Sequence, residues 1–178
     1  MRFSERLQSS LVALLKDTRM SQHDVDHVWE LMKSISFCML TNWDGRILHS
    51  RPMGAVLRRE ENAIYFFTDV RAHKDDEIAR YPQVCIGFAD TSGQKYVSVS
   101  GTAEILSEEE KMKQLWTISA KAWWGSPDNP DVRLIKVTPQ QAEFWDAPGN
   151  LISNLRVALS LVKGSPPSHA GEHQKVSL

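Results

Sequence analysis

Two short stretches hold the residues best suited to grip a charged ligand. Ser50-Arg51-Pro52-Met53-Gly54 interrupts an otherwise apolar, strand-like run, and Thr68-Asp69-Val70-Arg71-Ala72-His73-Lys74 follows the next such run. Arg51 offers a planar fork to an oxyanion and Lys74 a point charge at the start of a short helical pattern, an arrangement that backbone donors would complete into an anion site. The same cations have acids at hand in Asp75, Asp76 and Glu77. On residue types alone, surface ion pairing is the better supported of the two readings. No GxSxG, HExxH, GxxxxGK[ST] or GxGxxG occurs, which removes the commonest signs of a serine hydrolase, zinc protease, nucleotide triphosphatase or dinucleotide enzyme. Of the six histidines only His23 and His27 are spaced i,i+4; with no third or fourth ligand in sight they read as an exposed polar face rather than a zinc site. Cys38 and Cys85 lie in apolar contexts without CxxC spacing, so they read as buried free thiols of a reducing compartment.

The elements that must position these residues follow from periodicity. Phe3, Leu7, Leu11, Leu14 and Leu15 recur at helical spacing. Ser21 offers a cap to a second helix over about residues 22–33, with Val25, Val28, Trp29 and Met32 on its apolar stripe. The period then changes. Ile35 to Thr41 reads as a strand, Asp44-Gly45 as a hairpin turn, Ile47 to Leu57 as the return strand and Ala63 to Thr68 as a third strand, together an antiparallel meander. Lys74 to Arg80 is a short helix stopped at Tyr81-Pro82, and Val84 to Ala89 resumes the sheet. Lys95 to Leu106 should be the longest strand, bent or bulged at Gly101. Ser107 caps one helix reaching about Ala122, Trp123-Trp124 begins a loop, and Pro139 splits Leu134–Val137 from Ala142–Trp145. A last helix spans 151–162 and a polar tail follows Gly164. About seven strands with flanking helices fit a partly closed antiparallel barrel.

Length and charge narrow the classes further. The 178 residues suit one domain. The 21 Lys and Arg balance 22 Asp and Glu, so no global positive field attracts nucleic acid or anionic lipid. The apolar run Leu11 to Leu15 is too short for a signal peptide or a membrane span, and Glu5 and Asp17 argue against a transit peptide. The expectation is a cytoplasmic protein without nucleic-acid or membrane partners.

Seven motifs in order carry a resemblance: His27-Val-Trp-Glu-Leu-Met, Ser50-Arg-Pro-Met, Ile64-Tyr-Phe-Phe-Thr-Asp, His73-Lys74, Tyr96-Val-Ser-Val-Ser-Gly-Thr-Ala-Glu, Lys121-Ala-Trp-Trp and Ala142-Glu-Phe-Trp-Asp. Over about residues 23–178 the chain resembles the general stress protein 26 branch of the pyridoxamine 5'-phosphate oxidase-like family. The resemblance implies a split β-barrel homodimer that binds flavin mononucleotide (FMN) at the subunit interface, with flavin adenine dinucleotide (FAD) left open. It further implies an extension at 1–20, the barrel domain at 21–164 and a polar tail at 165–178.

Carried across, Arg51 and Lys74 are the phosphate ligands, and His73 stands where the oxidases have a second arginine. Pro52, Met53 and Gly54 match a strand segment whose backbone lies along the flavin ring, Ser50 beside them is a further cofactor-binding candidate, and Phe67 and Thr68 match an aromatic-Thr pair near the phosphate side. Tyr96 replaces a glutamine that faces the flavin, and Trp145 contacts it. Trp116 and Trp123, the latter ahead of Trp124, are candidates from the partner subunit, with core or dimer packing as the equal alternative. After Trp145 the oxidases carry Arg-x-His; here the chain reads Asp146-Ala147-Pro148-Gly149. The substrate-phosphate clamp is missing, which disfavours vitamin B6 oxidation. The implied function is a flavin-dependent oxidoreductase on a small substrate, or else a non-catalytic flavin-binding, stress-protective dimer.

Overall fold

The computed structural model describes residues 22–70, 74–146 and 172–178. Eight strands form one antiparallel sheet: β1 (Phe37–Trp43), β2 (Leu48–Gly54), β3 (Val56–Arg58), β4 (Ala63–Asp69), β5 (Gln83–Asp90), β6 (Lys95–Leu106), β7 (Val132–Asp146) and β8 (Glu172–Ser177). The helices are α1 (residues 22–35), α2 (Lys74–Arg80), α3 (Glu109–Leu115) and α4 (Ile118–Trp124). The sheet runs β2-β1-β5-β6-β7-β4-β3, with β8 also on β7. It curls into a split barrel.

Alternation in the strands builds the core. Cys38, Leu40, Ile64, Phe66, Ile86, Phe88, Val97, Val99, Ile135, Val137 and Phe144 point inward, and Val28, Leu31 and Met32 of α1 close the same cluster. The last turn of α1 stops at Ser36, held at φ 63°, where its N–H reaches Met32 O at 3.0 Å and its carbonyl accepts from Ala55 N at 3.2 Å. A second cluster lies behind β4 and β7: Ala63, Tyr65, Phe67 and Leu134 pack against Met112, Leu115 and Ala120 of α3 and α4. With both faces covered, β4 is buried along nearly its whole length. That explains a run of apolar residues without alternation.

Several sequence expectations are corrected. The return strand breaks at Ala55 into β2, which pairs with β1, and β3, which pairs with β4. The third strand of the expected meander therefore lies across the barrel, between β3 and β7. The 15-residue β7 is continuous through Pro139 and exceeds the 12-residue β6. A bulge reconciles proline with the ladder, because Gly101 pairs with Pro139 while Ser100 pairs with Gln141, and a proline at a bulge breaks no ladder bond. Gly101 is required there, since a Cβ would collide with the Thr138 carbonyl. The single helix expected from Ser107 to Ala122 is two. Glu108, not Ser107, occupies the first cap position without a side-chain bond, and the chain turns at Trp116 before Thr117 caps α4 by accepting from Ala120 N at 3.0 Å. Trp123 and Trp124 belong to α4 and not to a loop. Within the stretch read as a polar tail, 172–177 forms β8, where Val176 is buried against Ala142. The helix expected at 151–162, the extension at 1–20 and Ser21 lie outside the described residues.

Candidate functional site

Arg51 stands on β2, at the edge of the sheet, with its side chain on the inward face beside Leu40 and Asn42. Its Nη1 donates to Asn42 Oδ1 at 2.7 Å, and its Nη2 lies 3.7 Å from Glu77 Oε2 of α2. Among the described side chains Glu77 is the acid beside it, and the ion pair stretches beyond hydrogen-bond reach. Arg51 is partly exposed, so an anion can approach it. Lys74 opens α2, the helix that also carries Glu77. His73 lies outside the described residues.

The neighbours of Arg51 on β2 alternate to the other side of the sheet. Ser50, Pro52 and Gly54 face outward, opposite Thr41, Met39 and Phe37 of β1, whereas Met53 faces inward against Cys38. The outward row continues across Cys85 and Gly87 of β5 to Ser98 and Tyr96 of β6 and then Glu143 and Trp145 of β7. Tyr96 and Trp145 are register partners, each 38% exposed. The space above Gly87 is open, with no atom within 4 Å of where a Cβ would stand. On this surface Met39, Pro52 and Gly87 form an apolar floor set among Thr41, Ser50 and Ser98, with Tyr96 and Trp145 side by side on its β6–β7 flank and beside it a polar hollow of about 140 Å³ lined by Ser98, Ser100, Gln141, Glu143 and Lys175. Arg51 and the floor occupy opposite faces of the sheet. In the chain Arg51 lies between Ser50 and Pro52, which face the floor's side.

The remaining candidates separate. Thr68 is buried on the inward side and Phe67 points the other way, into the α3–α4 cluster. There Trp116 stacks edge-on to Phe67 at 5.2 Å and Trp124 packs tilted at 6.1 Å. Trp123 stands out at 81% exposed. Packing, the alternative reading, thus describes Trp116 and Trp124 in the single chain, and Trp123 alone of the three is offered outward. Arg133 donates to the carbonyls of Pro130 and Val132, both at 2.8 Å.

Asn42, Met39 and Gly87 were not among the sequence candidates. The signal for Asn42 was present, since it continues the inward series Cys38, Leu40 where an apolar residue belongs. His27, read as exposed, instead stacks edge-on to Phe144 at 5.1 Å, and its Nε2 lies 3.0 Å from Asp146 Oδ2 without hydrogen-bond alignment. Burial pushes the Cys38 thiol up to about 12, whereas Cys85 is only half-buried, with its Sγ 3.6 Å from Ser98 Oγ. Among the described residues no three His, Cys, Asp or Glu side chains gather as metal ligands, and no helix is long and apolar enough to cross a membrane.

The curled antiparallel sheet with its few helices is a split barrel, and sequence comparison gives the family. Residues 23–168 match the family described as pyridoxamine 5'-phosphate oxidase like, and the chain belongs to that family. It is similar to general stress protein 26 of Bacillus subtilis, at 29% identity over 91 residues, 47% of this chain and 62% of that protein. Among solved structures, one from Jannaschia described as general stress protein 26 superposes with a TM-score of 0.71 at 23% identity, over 89% of this chain and 99% of the other. The general stress FMN/FAD binding protein of Xanthomonas citri superposes with a TM-score of 0.59 at 23% identity, over 66% of this chain and 84% of the other.

Proposed function

We propose that this chain is an FMN-binding flavoprotein that works as a homodimer, an oxidoreductase toward a small acceptor and not a vitamin B6 oxidase. The observation that carries the reading is the outward floor of Met39, Pro52 and Gly87, flanked on its β6–β7 side by Tyr96 and Trp145. A planar heteroaromatic ring suits such a floor, because a glycine and a proline leave the backbone approachable and flanking aromatics prefer offset or edge contacts. Arg51 at the adjoining edge supplies the fork for the phosphate, and Lys74 a second charge. The Xanthomonas relative is named for binding FMN or FAD, which supports carrying flavin to this chain.

When bound, flavin supplies electron-transfer chemistry that no protein side chain provides. The protein's part is to hold the ring flat, to fix the phosphate, and to keep water from one face by burying it against Tyr96 and Trp145. The groups with displaced pKa values, among them Cys38, Asp44, Glu61 and Asp90, serve burial, turns and a surface pair and do not line the floor. Arg133 is committed to backbone carbonyls, so the substrate-phosphate clamp missing after Trp145 has no replacement there.

The test is spectroscopic. The purified full chain should absorb in the flavin region, or bind added FMN with quenching of flavin fluorescence, and should not convert pyridoxamine 5'-phosphate to pyridoxal 5'-phosphate. Absence of any flavin binding, or measurable turnover of that substrate, overturns the reading.

A further inference from the structure

Asn42 is a polar side chain in an apolar place. It is 2% exposed, on the inward face of β1 that it shares with Cys38 and Leu40. Both ends of its amide are used: Oδ1 accepts from Arg51 Nη1 at 2.7 Å, and Nδ2 donates to Glu77 Oε2 at 2.8 Å. Its orientation is dictated, since a guanidinium can only donate and a carboxylate can only accept. Arg51 Nη2 meanwhile stays 3.7 Å from that same Glu77 oxygen. Left to themselves, a guanidinium and a carboxylate this close settle at about 2.8 Å in a two-pronged pair. The amide between them occupies one prong of the arginine and one oxygen of the glutamate.

We infer that Asn42 is a positioning residue. It holds Arg51 off Glu77, so that the guanidinium is presented to an incoming phosphate instead of being consumed by an internal ion pair. Asn42 thereby sets the preference for a phosphorylated over an unphosphorylated flavin. The inference rests on the reading of Arg51 as the phosphate ligand. Glu77 has a part as well: its carboxylate is the competitor that makes a spacer necessary, and α2 fixes it close to β1.

The experiment titrates the flavin-stripped full chain and its variants with FMN and with riboflavin, which lacks the phosphate. Asn42→Leu keeps the branched four-atom side-chain skeleton and removes both hydrogen-bonding ends of the spacer. FMN affinity should fall about tenfold, the effect of losing roughly one charged hydrogen bond, while riboflavin affinity changes less than about twofold. Adding Glu77→Gln to Asn42→Leu should restore most of the FMN affinity, because the competing charge is gone. A role in folding alone would not give that rescue. Circular dichroism checks each variant; if the leucine chain does not fold, Asn42→Ser, too short to span the two groups, takes its place with the same expectation. Equal weakening of both flavins, or no recovery in the double variant, overturns the inference. Arg51→Ala is the reference arm. If it fails to separate FMN from riboflavin, the phosphate reading falls and the inference with it; if it separates them and Asn42→Leu does not, the inference alone falls.

Discussion

Arg51 and Lys74 are both charged residues whose sequence context admitted two readings, and their energetics tell the readings apart. As phosphate ligands each contributes a charged hydrogen bond, so Arg51→Ala and Lys74→Ala should each weaken FMN about tenfold to a hundredfold and leave riboflavin nearly unchanged. As surface ion pairs, each would cost at most about 1 kcal/mol of stability and distinguish nothing between the flavins. Calorimetric titration of both variants with both ligands decides it. The two thiols give an independent check of the core. Cys38, raised to about 12 by burial, should resist an aromatic disulfide reagent at pH 8 until the protein is unfolded, because the thiolate is the reactive form. Half-buried Cys85 should react first; equal rates would mean that the inward face of β1 is open. Asp44 is held down to about 2 by the N–H groups of Ile47 and Arg46 and by His49. A carboxylate depressed on folding contributes stability that is present above its ordinary value near 3.8 and is lost as pH falls through the folded value. The melting temperature should therefore drop between about pH 4 and pH 2, and Asp44→Asn should flatten part of that slope.

At the scale of elements, glycines and caps hold the joints. Gly101→Ala sets a methyl against the Thr138 carbonyl across the bulge, and backbone on both sides cannot yield easily; a loss of about 1–3 kcal/mol in urea unfolding is expected. Thr117→Ala removes the α4 cap, which should cost about 1 kcal/mol. Gly45, at φ 97° with the Tyr81 hydroxyl 2.7 Å from where a Cβ would sit, ties the β1–β2 turn to the end of α2. That turn was legible as Asp-Gly, and so were α2 and β6, because each rests on local period or a local stop signal. The break at Ala55 was not, since a strand changing partners from β1 to β4 keeps its extended backbone and its composition. Nor was the turn at Trp116: residues 108–124 hold no proline and no glycine, and the turn goes with tertiary packing, in which Trp116 and Trp124 both contact Phe67. The candidate site shows the same division. Arg51 stood out by type and Tyr96 and Trp145 through the family resemblance, whereas Gly87 acquires its importance only from the register that sets β1 between β2 and β5.

For the whole molecule the outward face decides. An antiparallel sheet with one solvated face ordinarily presents polar side chains there, yet β1 and β2 turn out Phe37 at 71% exposed, Leu48, Met39 and Trp43, and the row extends to Tyr96 and Trp145. A contiguous apolar patch of this kind marks an interface in a monomeric chain of such size, and the occupant proposed above is a second copy. A shared face of this sort is self-complementary about a two-fold axis. On that proposal the flavin floor would lie between subunits, and assembly and ligand binding would be coupled. Light scattering at micromolar concentration should give twice the chain mass, and added FMN should raise a melting temperature that itself rises with protein concentration. Phe37→Glu with Leu48→Glu puts two charges on the patch without touching the inward core or the floor of Met39, Pro52 and Gly87. That variant should be a folded monomer by scattering and circular dichroism, and it should lose FMN and riboflavin affinity together, because the ring loses its cover while Arg51 keeps its fork. Selective loss of FMN in this variant would place the damage at the phosphate instead, and a wild-type chain that scatters as a monomer would remove the shared face altogether.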